Sequence, residues 1–269
     1  MSALEILPDV QATQQDFGLA IDQVGIKALR FPASIATASG AQSTVATLDM
    51  YVSLPSDQKG THMSRFVEHI EAFDGAFDFA SFQQFLSEMT TRLHAADGEV
   101  CMAFPYFIRK TAPVSGVQSL LDVQASFTGR LSAEQGWQFE LEVKAPVTSL
   151  CPCSKQISRY GAHNQRSEIT LRVALNAAMS IEELVRIAEE KASCEVFGLL
   201  KRPDEKWVTE RAYENPKFVE DLVREIALAL REDSRIDRFV VESENFESIH
   251  NHSAFARIRW QRPAASVTA

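Results

Sequence analysis

Cysteine, long apolar runs and basic charge are all scarce in this sequence of 269 residues. The four cysteines, Cys101, Cys151, Cys153 and Cys194, are too few and too scattered for a disulfide scaffold. No apolar run approaches the roughly 18 residues that can span a bilayer. The start of the chain, MSALEILPDVQATQQDFG, also lacks the basic residues and the apolar core of a secretory signal. We therefore expect a cytoplasmic protein that does not bind a membrane.

The charge balance is acidic, with 27 lysines and arginines against 36 aspartates and glutamates, a net charge of −9. This balance argues against a nucleic-acid partner, which requires a basic face. A small anionic ligand stays compatible with the sequence, because a local cluster such as Lys201-Arg202 can still form a basic pocket. The length suits one large domain or two domains of ordinary size.

Hydrophobic periodicity in the first half predicts two strands, two helices and two more strands. STVATLDMYVSLP alternates at Leu48, Met50, Val52 and Leu54, which is typical of a strand. The helices are predicted in HMSRFVEHIEAF and FASFQQFLSEMTTRLHAA, where the apolar residues return at helical spacing. The runs EVCMAFPYFIRK and VQSLLDVQASFTG complete the half as strands.

The second half repeats this order of elements without residue-level similarity. Strands are predicted in WQFELEVKAPVTSL and SEITLRVAL, and later in IDRFVVESENF and HSAFARIRW. One helix is predicted from Ser180 to a point before Pro203, and another from Asn215-Pro216 onward. Asp204 and Glu205 then fall in the loop between these helices. Antiparallel hairpins with paired helices on one face indicate an α+β fold.

The polar stretch SLCPCSKQISRYGAHNQRSE, residues 149–168, connects two second-half strands and is the most suggestive loop of the chain. Three interpretations of its cysteines are open: small buried residues at a strand end, a nucleophile activated by His163, or a metal site. Cys151 and His163 supply only two ligands, and a catalytic zinc site uses about three. If the loop is extended, the side chains of Cys151 and Cys153 point to opposite sides, so only one can face an ion.

Other loops offer further ligands and an anion site. Glu247, His250 and His252 lie in the turn between the last two strands, and Glu247 and His250 form a Glu-x-x-His pair. Taken alone, either histidine also fits a surface turn. His62 stands at a predicted helix start, where Lys59 and Arg65 can help bind an anion, although an ordinary helix start fits as well.

Four separated motifs, SLCPCSKQISRYGAHNQR, GTHMSRF, NPKFVEDLVR and FESIHNHSAFA, together resemble the type IB GTP cyclohydrolases of bacteria and archaea. The resemblance extends from about residue 20 to residue 261. It implies tandem tunnelling-fold modules, each strand-strand-helix-helix-strand-strand, at residues 24–130 and 136–261. Residues 1–23 would then form an N-terminal extension and residues 262–269 a C-terminal tail.

The resemblance also implies an activity and an assembly. The family converts GTP and water to 7,8-dihydroneopterin triphosphate and formate, the first step of tetrahydrofolate biosynthesis, and in some bacteria this product also feeds queuosine synthesis. The expected assembly is a homotetramer whose active sites lie where subunits meet.

By the same resemblance, the metal ligands are Cys151, His163 and Glu205, with Glu247 and His250 close to the ion. One thiolate among oxygen and nitrogen ligands should accept manganese or iron as well as zinc. His163, His250 or His252 would move protons, and Glu220 would hold the guanine edge. Cys153 would only support the loop. The residues available to bind the triphosphate share a basic side chain; they are Lys155, Arg159, Arg166, Lys59, His62 and Arg65.

Two other functions remain open at the level of sequence. A nitrile reductase of queuosine synthesis has the same fold, would use a cysteine to attack a nitrile and would need NADPH. A non-catalytic pterin- or nucleotide-binding protein with a structural metal would bind GTP without releasing formate. The Glu-x-x-His turn together with the Cys151–His163 loop favours the metal-dependent hydrolase.

Overall fold

A computed structural model describes residue 11 and residues 15–263 of the chain. Their elements are, in chain order, β1 (Ile21–Thr37), β2 (Gly40–Leu54), α1 (Met63–Glu71), α2 (Phe79–Leu93), β3 (Gly98–Thr111), β4 (Gln118–Ser132), β5 (Gly136–Leu150), α3 (Pro152–Ile157), β6 (Asn164–Leu175), α4 (Ile181–Lys191), β7 (Cys194–Glu195), α5 (Arg202–Glu214), α6 (Val219–Glu232), β8 (Ile236–Asn245) and β9 (Ala254–Gln261). Of the predicted extension, residues 1–10 and 12–14 lie outside the described residues, and Ile21–Gln23 already belong to β1; of the predicted tail, residues 264–269 lie outside them. No helix in the described part of the chain has both the length and the hydropathy needed to cross a membrane.

The strands form one sheet in the order β1-β2-β3-β4-β5-β6-β8-β9, and the short β7 pairs with β5. The β1/β2, β6/β8 and β8/β9 pairs are antiparallel. Near its start, β1 bulges at Ala28, which has a φ of 58° and donates its N–H to Asp49. Close by, Gly25 is required, because a Cβ there would meet the carbonyl oxygen of Met50 at 1.9 Å. The sheet and its helices confirm the predicted α+β class.

Two compact units divide the described chain. One comprises the residues up to Met102 together with Thr128–Phe139, and the other comprises Ala103–Phe127 and the residues from Glu140 onward. The units interleave along the chain because β3, β4 and β5 each contribute residues to both.

The first unit is built around aromatic side chains of α2 and the segment before it. Asp78 caps α2 by accepting the backbone N–H of Ser81, and the Ser81 hydroxyl accepts the backbone N–H of Asp78 in return. Phe77, Phe82 and Phe85 are almost fully buried and meet edge to face. The predicted helical stripe of α2 comprises Phe79, Phe82, Leu86, Met89 and Leu93. The last four are buried and Phe79 is half-buried, so the stripe is confirmed.

In the second unit, α4 and α6 bury their apolar faces. A capping box opens α4 at the predicted start, with the Ser180 hydroxyl accepting the Glu183 N–H at 3.1 Å. Helix α6 buries residues spaced three or four apart, which contact β8 and β9; these are Val219, Leu222, Val223, Ile226 and Leu230.

The connection between α4 and α6 differs from its prediction. Helix α4 does end before Pro203, but Pro203 then occupies the first turn of a further helix, α5, where a missing N–H costs nothing. Asp204 and Glu205 therefore lie on a helix and not in a loop. The predicted start at Asn215-Pro216 is also wrong, because Asn215 caps the end of α5 and α6 begins at Val219.

A buried ion pair joins strand β3 to helix α4. Lys110 Nζ lies 2.7 Å from Glu189 Oε2, and their side chains are 10% and 8% exposed. Burial raises the pKa of Glu189, and the hydrogen bond from Lys110 opposes that rise. The second oxygen, Oε1, has no hydrogen-bond partner within the described part of the chain. Glu189 therefore depends on Lys110 for its ionised form.

We expect Lys110→Met to lower the free energy of unfolding by about 3 kcal/mol at neutral pH, because it leaves a buried carboxylate without its cation. In this variant Glu189 favours its protonated form more strongly in the folded than in the unfolded chain. The decrease in the free energy of unfolding should therefore be larger at about pH 8, where the carboxyl must ionise, than at about pH 5. Denaturant unfolding monitored by circular dichroism measures both values.

The matched control is Lys206→Met, which breaks the exposed pair between Lys206 and Glu210 on α5. It should change stability by at most about 0.5 kcal/mol. Equal losses in the two variants would show that the Lys110–Glu189 pair is no more important than a surface contact.

Candidate metal centre

The connection between β5 and β6 closes on itself through three hydrogen bonds. The backbone N–H of Cys151 donates to the carbonyl of His163 at 3.1 Å. The hydroxyl of Ser154 accepts the backbone N–H of His163 at 3.2 Å and donates to the carbonyl of Cys151 at 3.1 Å. Two predicted metal ligands that are 12 positions apart in the sequence are therefore neighbours in space.

Opposite orientations of Cys151 and Cys153 were expected only if this segment is extended, and it is not. It begins with the short helix α3, with Cys151 as its N-cap and Pro152 in its first turn. The Cys151 Sγ accepts the backbone N–H of Ser154 at 3.4 Å, whereas Cys153 is exposed on the helix. The two thiols thus have different environments, as expected. The reason is that Cys151 caps the helix and Cys153 lies on its exposed face, and not that the side chains of a strand alternate.

The imidazole of His163 is oriented by oxygen atoms around Nδ1. Gln165 Oε1 lies at 3.0 Å, Ser248 Oγ at 3.4 Å and Glu247 Oε2 at 4.0 Å from this nitrogen. In the tautomer in which Nδ1–H donates to the amide oxygen of Gln165, Nε2 keeps the lone pair that a metal ion would bind. The side chains of His163 and Glu247 are only 14% and 12% exposed.

The turn from Phe246 to Ser253 joins β8 to β9 and brings the predicted Glu-x-x-His pair to the same place. The imidazole rings of His250 and His252 stack with centroids 5.2 Å apart and planes inclined by 16°. Both histidines are exposed. Two stacked imidazoles at the rim can exchange protons with solvent.

These side chains line one cavity of about 310 Å³. Its walls come from the end of β5, the start of β6, the start of α6 and the β8–β9 turn; they are Cys151, Pro152, His163, Gln165, Lys217, Phe218, Val219, Glu220, Asn245, Glu247, His250, His252 and Ala254. Six of the predicted site residues are thus brought together, namely Cys151, His163, Glu220, Glu247, His250 and His252.

Glu205 is not among the residues that line this cavity. Its side chain is 56% exposed on α5 and lies 3.7 Å from Arg202. The preceding residue, Asp204, is buried and accepts hydrogen bonds from the N–H groups of Lys201, Val114 and Ser115 and from the Ser115 hydroxyl. Burial alone would raise the pKa of Asp204, but these donors lower it below its usual range. Asp204 thus fixes the start of α5, including Glu205.

Within the described residues, no three His, Cys, Asp or Glu side chains are close enough to hold one metal ion together. The donors nevertheless fit such an ion by their chemistry, because the cavity gathers a thiol, imidazoles and a carboxylate. The orientation of His163 by Gln165 is the usual support for a metal-binding histidine. The predicted ligand set stays a prediction.

The predicted triphosphate-binding cations are scattered. Lys155 donates from Nζ to the carbonyl of Tyr213 at 2.5 Å and lies over its ring. Arg159 and Arg166 are exposed near the β5–β6 connection. The other three, Lys59, His62 and Arg65, belong to the first unit around the start of α1, where His62 is the N-cap.

Sequence reasoning missed several polar groups of the site. The position of Ser154 could have been recognised from the sequence. It lies three residues after Cys151, which is the spacing between the two members of a capping box. Gln165 and Asn245 are buried polar residues at strand ends, and only the pairing of β6 with β8 places them together. Lys217 had no signal, because its role depends on where α6 begins.

The remaining cysteines lie outside this cavity. Cys194 packs against Leu150 and Ala212 in a small apolar cluster, and burial raises its pKa to about 11. A thiol with so high a pKa is a poor metal ligand. Cys101 is half-buried on β3. Both fit a structural role.

Comparison with known proteins gives consistent matches along the chain. A family model described as "Type I GTP cyclohydrolase folE2" matches residues 7–256. The GTP cyclohydrolase FolE2 1 of Dechloromonas aromatica (strain RCB) is 61% identical over 253 residues, which cover 94% of this chain and 95% of that protein. The GTP cyclohydrolase FolE2 of Nitrosomonas eutropha (strain DSM 101675 / C91 / Nm57) is 56% identical, with the same coverage of both chains.

A comparison of structures supports the fold. The uricase from Arthrobacter globiformis matches with a TM-score of 0.51 at 9% identity, covering 90% of this chain and 93% of that chain. At this identity the match concerns the fold alone. It confirms the tunnelling fold that the sequence predicted.

We expect Cys151→Ala to weaken zinc binding at least about tenfold, because alanine cannot replace a thiolate ligand. Cys153→Ala should bind zinc as tightly as the unaltered chain, since its thiol is exposed on α3. Competition with a fluorescent zinc chelator measures both affinities, and each variant is the matched control for the other. Equal weakening in both would show that the thiols bind as a pair.

Proposed function

Because the chain belongs to the type I GTP cyclohydrolase FolE2 family, we propose that the cavity around Cys151 is where it converts GTP and water to 7,8-dihydroneopterin triphosphate and formate. One observation carries this assignment. The cavity gathers Cys151, His163, Glu247 and His250 beside Glu220, which are the residues that such a reaction needs. The family match also favours the hydrolase over the nitrile reductase and over a non-catalytic binding protein.

Glu220 is positioned to hold the guanine base. It is the second residue of α6 and lines the cavity with an exposed carboxylate. Its two oxygen atoms can accept hydrogen bonds from the N1–H and the 2-amino group of guanine. A base held at this edge turns its imidazole ring, with carbon 8, toward the rest of the cavity. Each hydrogen bond to a charged partner contributes about 1.5–3 kcal/mol.

Cys151 and His163 would hold a divalent ion, with Glu247 and His250 beside it. Such an ion, when bound, supplies the Lewis acidity that lowers the pKa of water from 15.7 toward about 7 and so makes hydroxide available near neutral pH. One thiolate with imidazole and carboxylate ligands accepts manganese, iron or zinc. Glu205 remains a predicted ligand from α5.

The histidines of the β8–β9 turn would move the protons that the reaction requires. One water adds to carbon 8 of guanine and opens the ring to a formamide, and a second water then releases carbon 8 as formate, so that both bonds from carbon 8 to nitrogen are hydrolysed in turn. The later closure of the pterin ring returns one water, which leaves one water consumed overall. Each nitrogen must gain a proton as its bond breaks. His250 and His252 line the cavity, stack on each other and reach solvent, so they can deliver protons and be recharged from water.

The triphosphate would be bound by basic side chains near the β5–β6 connection. Lys155, Arg159 and Arg166 are the candidates of the second unit, and Lys155 is held in place by Tyr213. Lys59, His62 and Arg65 remain candidates at the start of α1. A helix start adds free backbone N–H groups that favour phosphate.

The assembly we propose is a homotetramer with active sites where subunits meet. Apolar side chains close to the cavity are unusually exposed: Phe218 by 46%, Phe246 by 47% and Ile249 by 64%. A cluster of such side chains is typical of a surface that another protein covers. In addition, β1 and β9 end the strand order of the described sheet. Phe77 pairs with β1 at Ser34 and Ala36, and a second copy can extend the sheet along the rest of such an edge.

We also propose a cytoplasmic location. Cys151 and Cys153 are free thiols separated by one residue, and a reducing compartment keeps such thiols available as ligands. The product of the reaction is the first intermediate of tetrahydrofolate biosynthesis, and the same product can feed queuosine synthesis.

The protein should release one formate for each GTP consumed and give neopterin fluorescence after the product is oxidised and dephosphorylated.

Activity should disappear after chelation and return with manganese at least as well as with zinc, because most of the predicted ligands are oxygen or nitrogen donors. Elemental analysis after chelation provides the control. Full activity in metal-free protein would contradict the metal centre, and GTP binding without formate would contradict the hydrolase.

A further inference from the structure

Lys217 is the only lysine or arginine among the described residues that line the cavity around Cys151. Its side chain is only 11% exposed, although lysine is rarely buried without a partner. The backbone N–H of Lys217 donates to the carbonyl of Leu150 at 3.0 Å, the residue before Cys151. The backbone of Lys217 is therefore anchored beside Cys151, and its side chain is part of the cavity wall.

The ammonium group of Lys217 is aimed by one carboxylate. Nζ lies 2.5 Å from Oε2 of Glu225, which follows on α6. An ammonium group has three N–H donors, and Glu225 is its only recorded side-chain partner in the described part of the chain. Two donors of the ammonium group are thus available to a ligand that reaches it from the cavity that Lys217 lines.

Glu220 lines the same cavity three residues after Lys217. The two side chains offer a carboxylate that accepts hydrogen bonds and an ammonium group that donates them. One edge of guanine presents the matching groups, with the 2-amino group and N1–H as donors and O6 as the adjacent acceptor. Lysine donation to the acceptors O6 and N7 is a common way in which proteins recognise guanine.

We propose that Lys217 determines specificity for a 6-oxopurine by donating a hydrogen bond from Nζ to O6 of the guanine base held by Glu220. An adenine nucleotide places an amino group at this position, where two donors would face each other, and is rejected. Glu225 orients the ammonium group and does not touch the substrate. This inference rests on the proposed function, because it assigns the base to the same cavity.

The test compares GTP with 6-thio-GTP, which keeps N1–H and the 2-amino group and replaces O6 by a weakly accepting sulfur. The unaltered protein should favour GTP in kcat/KM by about 10- to 100-fold, as expected for a hydrogen bond to a charged donor. Lys217→Met should lose most of this preference, and Lys217→Arg should regain part of it. Glu220→Gln should retain the preference and instead lose discrimination against ITP, which lacks the 2-amino group.

Binding of guanosine separates this role from phosphate binding and from packing. Equilibrium dialysis should show that Lys217→Met weakens guanosine binding by the same factor as it lowers kcat/KM for GTP. The matched control, Lys206→Met on α5, should change neither value. Unchanged guanosine binding, or equal slowing of GTP and 6-thio-GTP with the preference kept, would overturn the inference and leave Lys217 a phosphate contact or an anchor for α6. Failure of the unaltered protein to release formate would instead overturn the proposed function.

Discussion

The candidate centre depends on the closure of the β5–β6 connection, in which the Cys151 N–H donates to the His163 carbonyl and Ser154 bonds to both residues. Without this closure, two ligands in the connection between β5 and β6 would have to be ordered against the entropy of the intervening chain, at about 1–2 kcal/mol per residue. With it, hydrogen bonds within the protein fix the backbone at both residues. The side chains of β8, α6 and the β8–β9 turn then have a defined place to meet.

Much of the fold could be predicted because its elements bury one face each. The alternation of Leu48, Met50, Val52 and Leu54 on β2, all buried, marks a strand with a single core-facing side. Helix α5 was missed because few of its residues are buried, so it shows no apolar stripe. The start of α6 was misplaced because Asn215-Pro216 looks like a cap, whereas Asn215 donates from its side chain to the carbonyl of Ala192 and serves α5.

The candidate site could be predicted in part for a related reason. Cys151, His163 and the Glu247–His250 turn are chemically unusual where they stand in the sequence, and their convergence needed only that the loops share one end of the sheet. Gln165 and Lys217 are ordinary polar residues there. Their importance comes from three-dimensional placement, since Gln165 faces the His163 ring and Lys217 is anchored to Leu150. Such contacts cannot be inferred from the residues that are neighbours in the sequence.

The residues that orient the candidate ligands therefore help to identify the site as much as the ligands themselves. His163 has its ring orientation set by Gln165, and Cys151 accepts the Ser154 N–H, so hydrogen bonds within the protein orient both donors. Asp204 performs a similar task for α5 through its hydrogen bonds to Lys201, Val114 and Ser115. Rigid support of this kind keeps reacting groups close to the geometry that a reaction requires.

X-ray absorption spectroscopy of the zinc-loaded protein tests the central claim, that one thiolate of this loop and its neighbours bind the ion. The account predicts a single sulfur scatterer at about 2.3 Å, with nitrogen or oxygen atoms at about 2.0–2.2 Å completing the shell. The sulfur contribution should vanish in Cys151→Ala and persist in Cys153→Ala. A spectrum with no sulfur, or with two, would contradict the account.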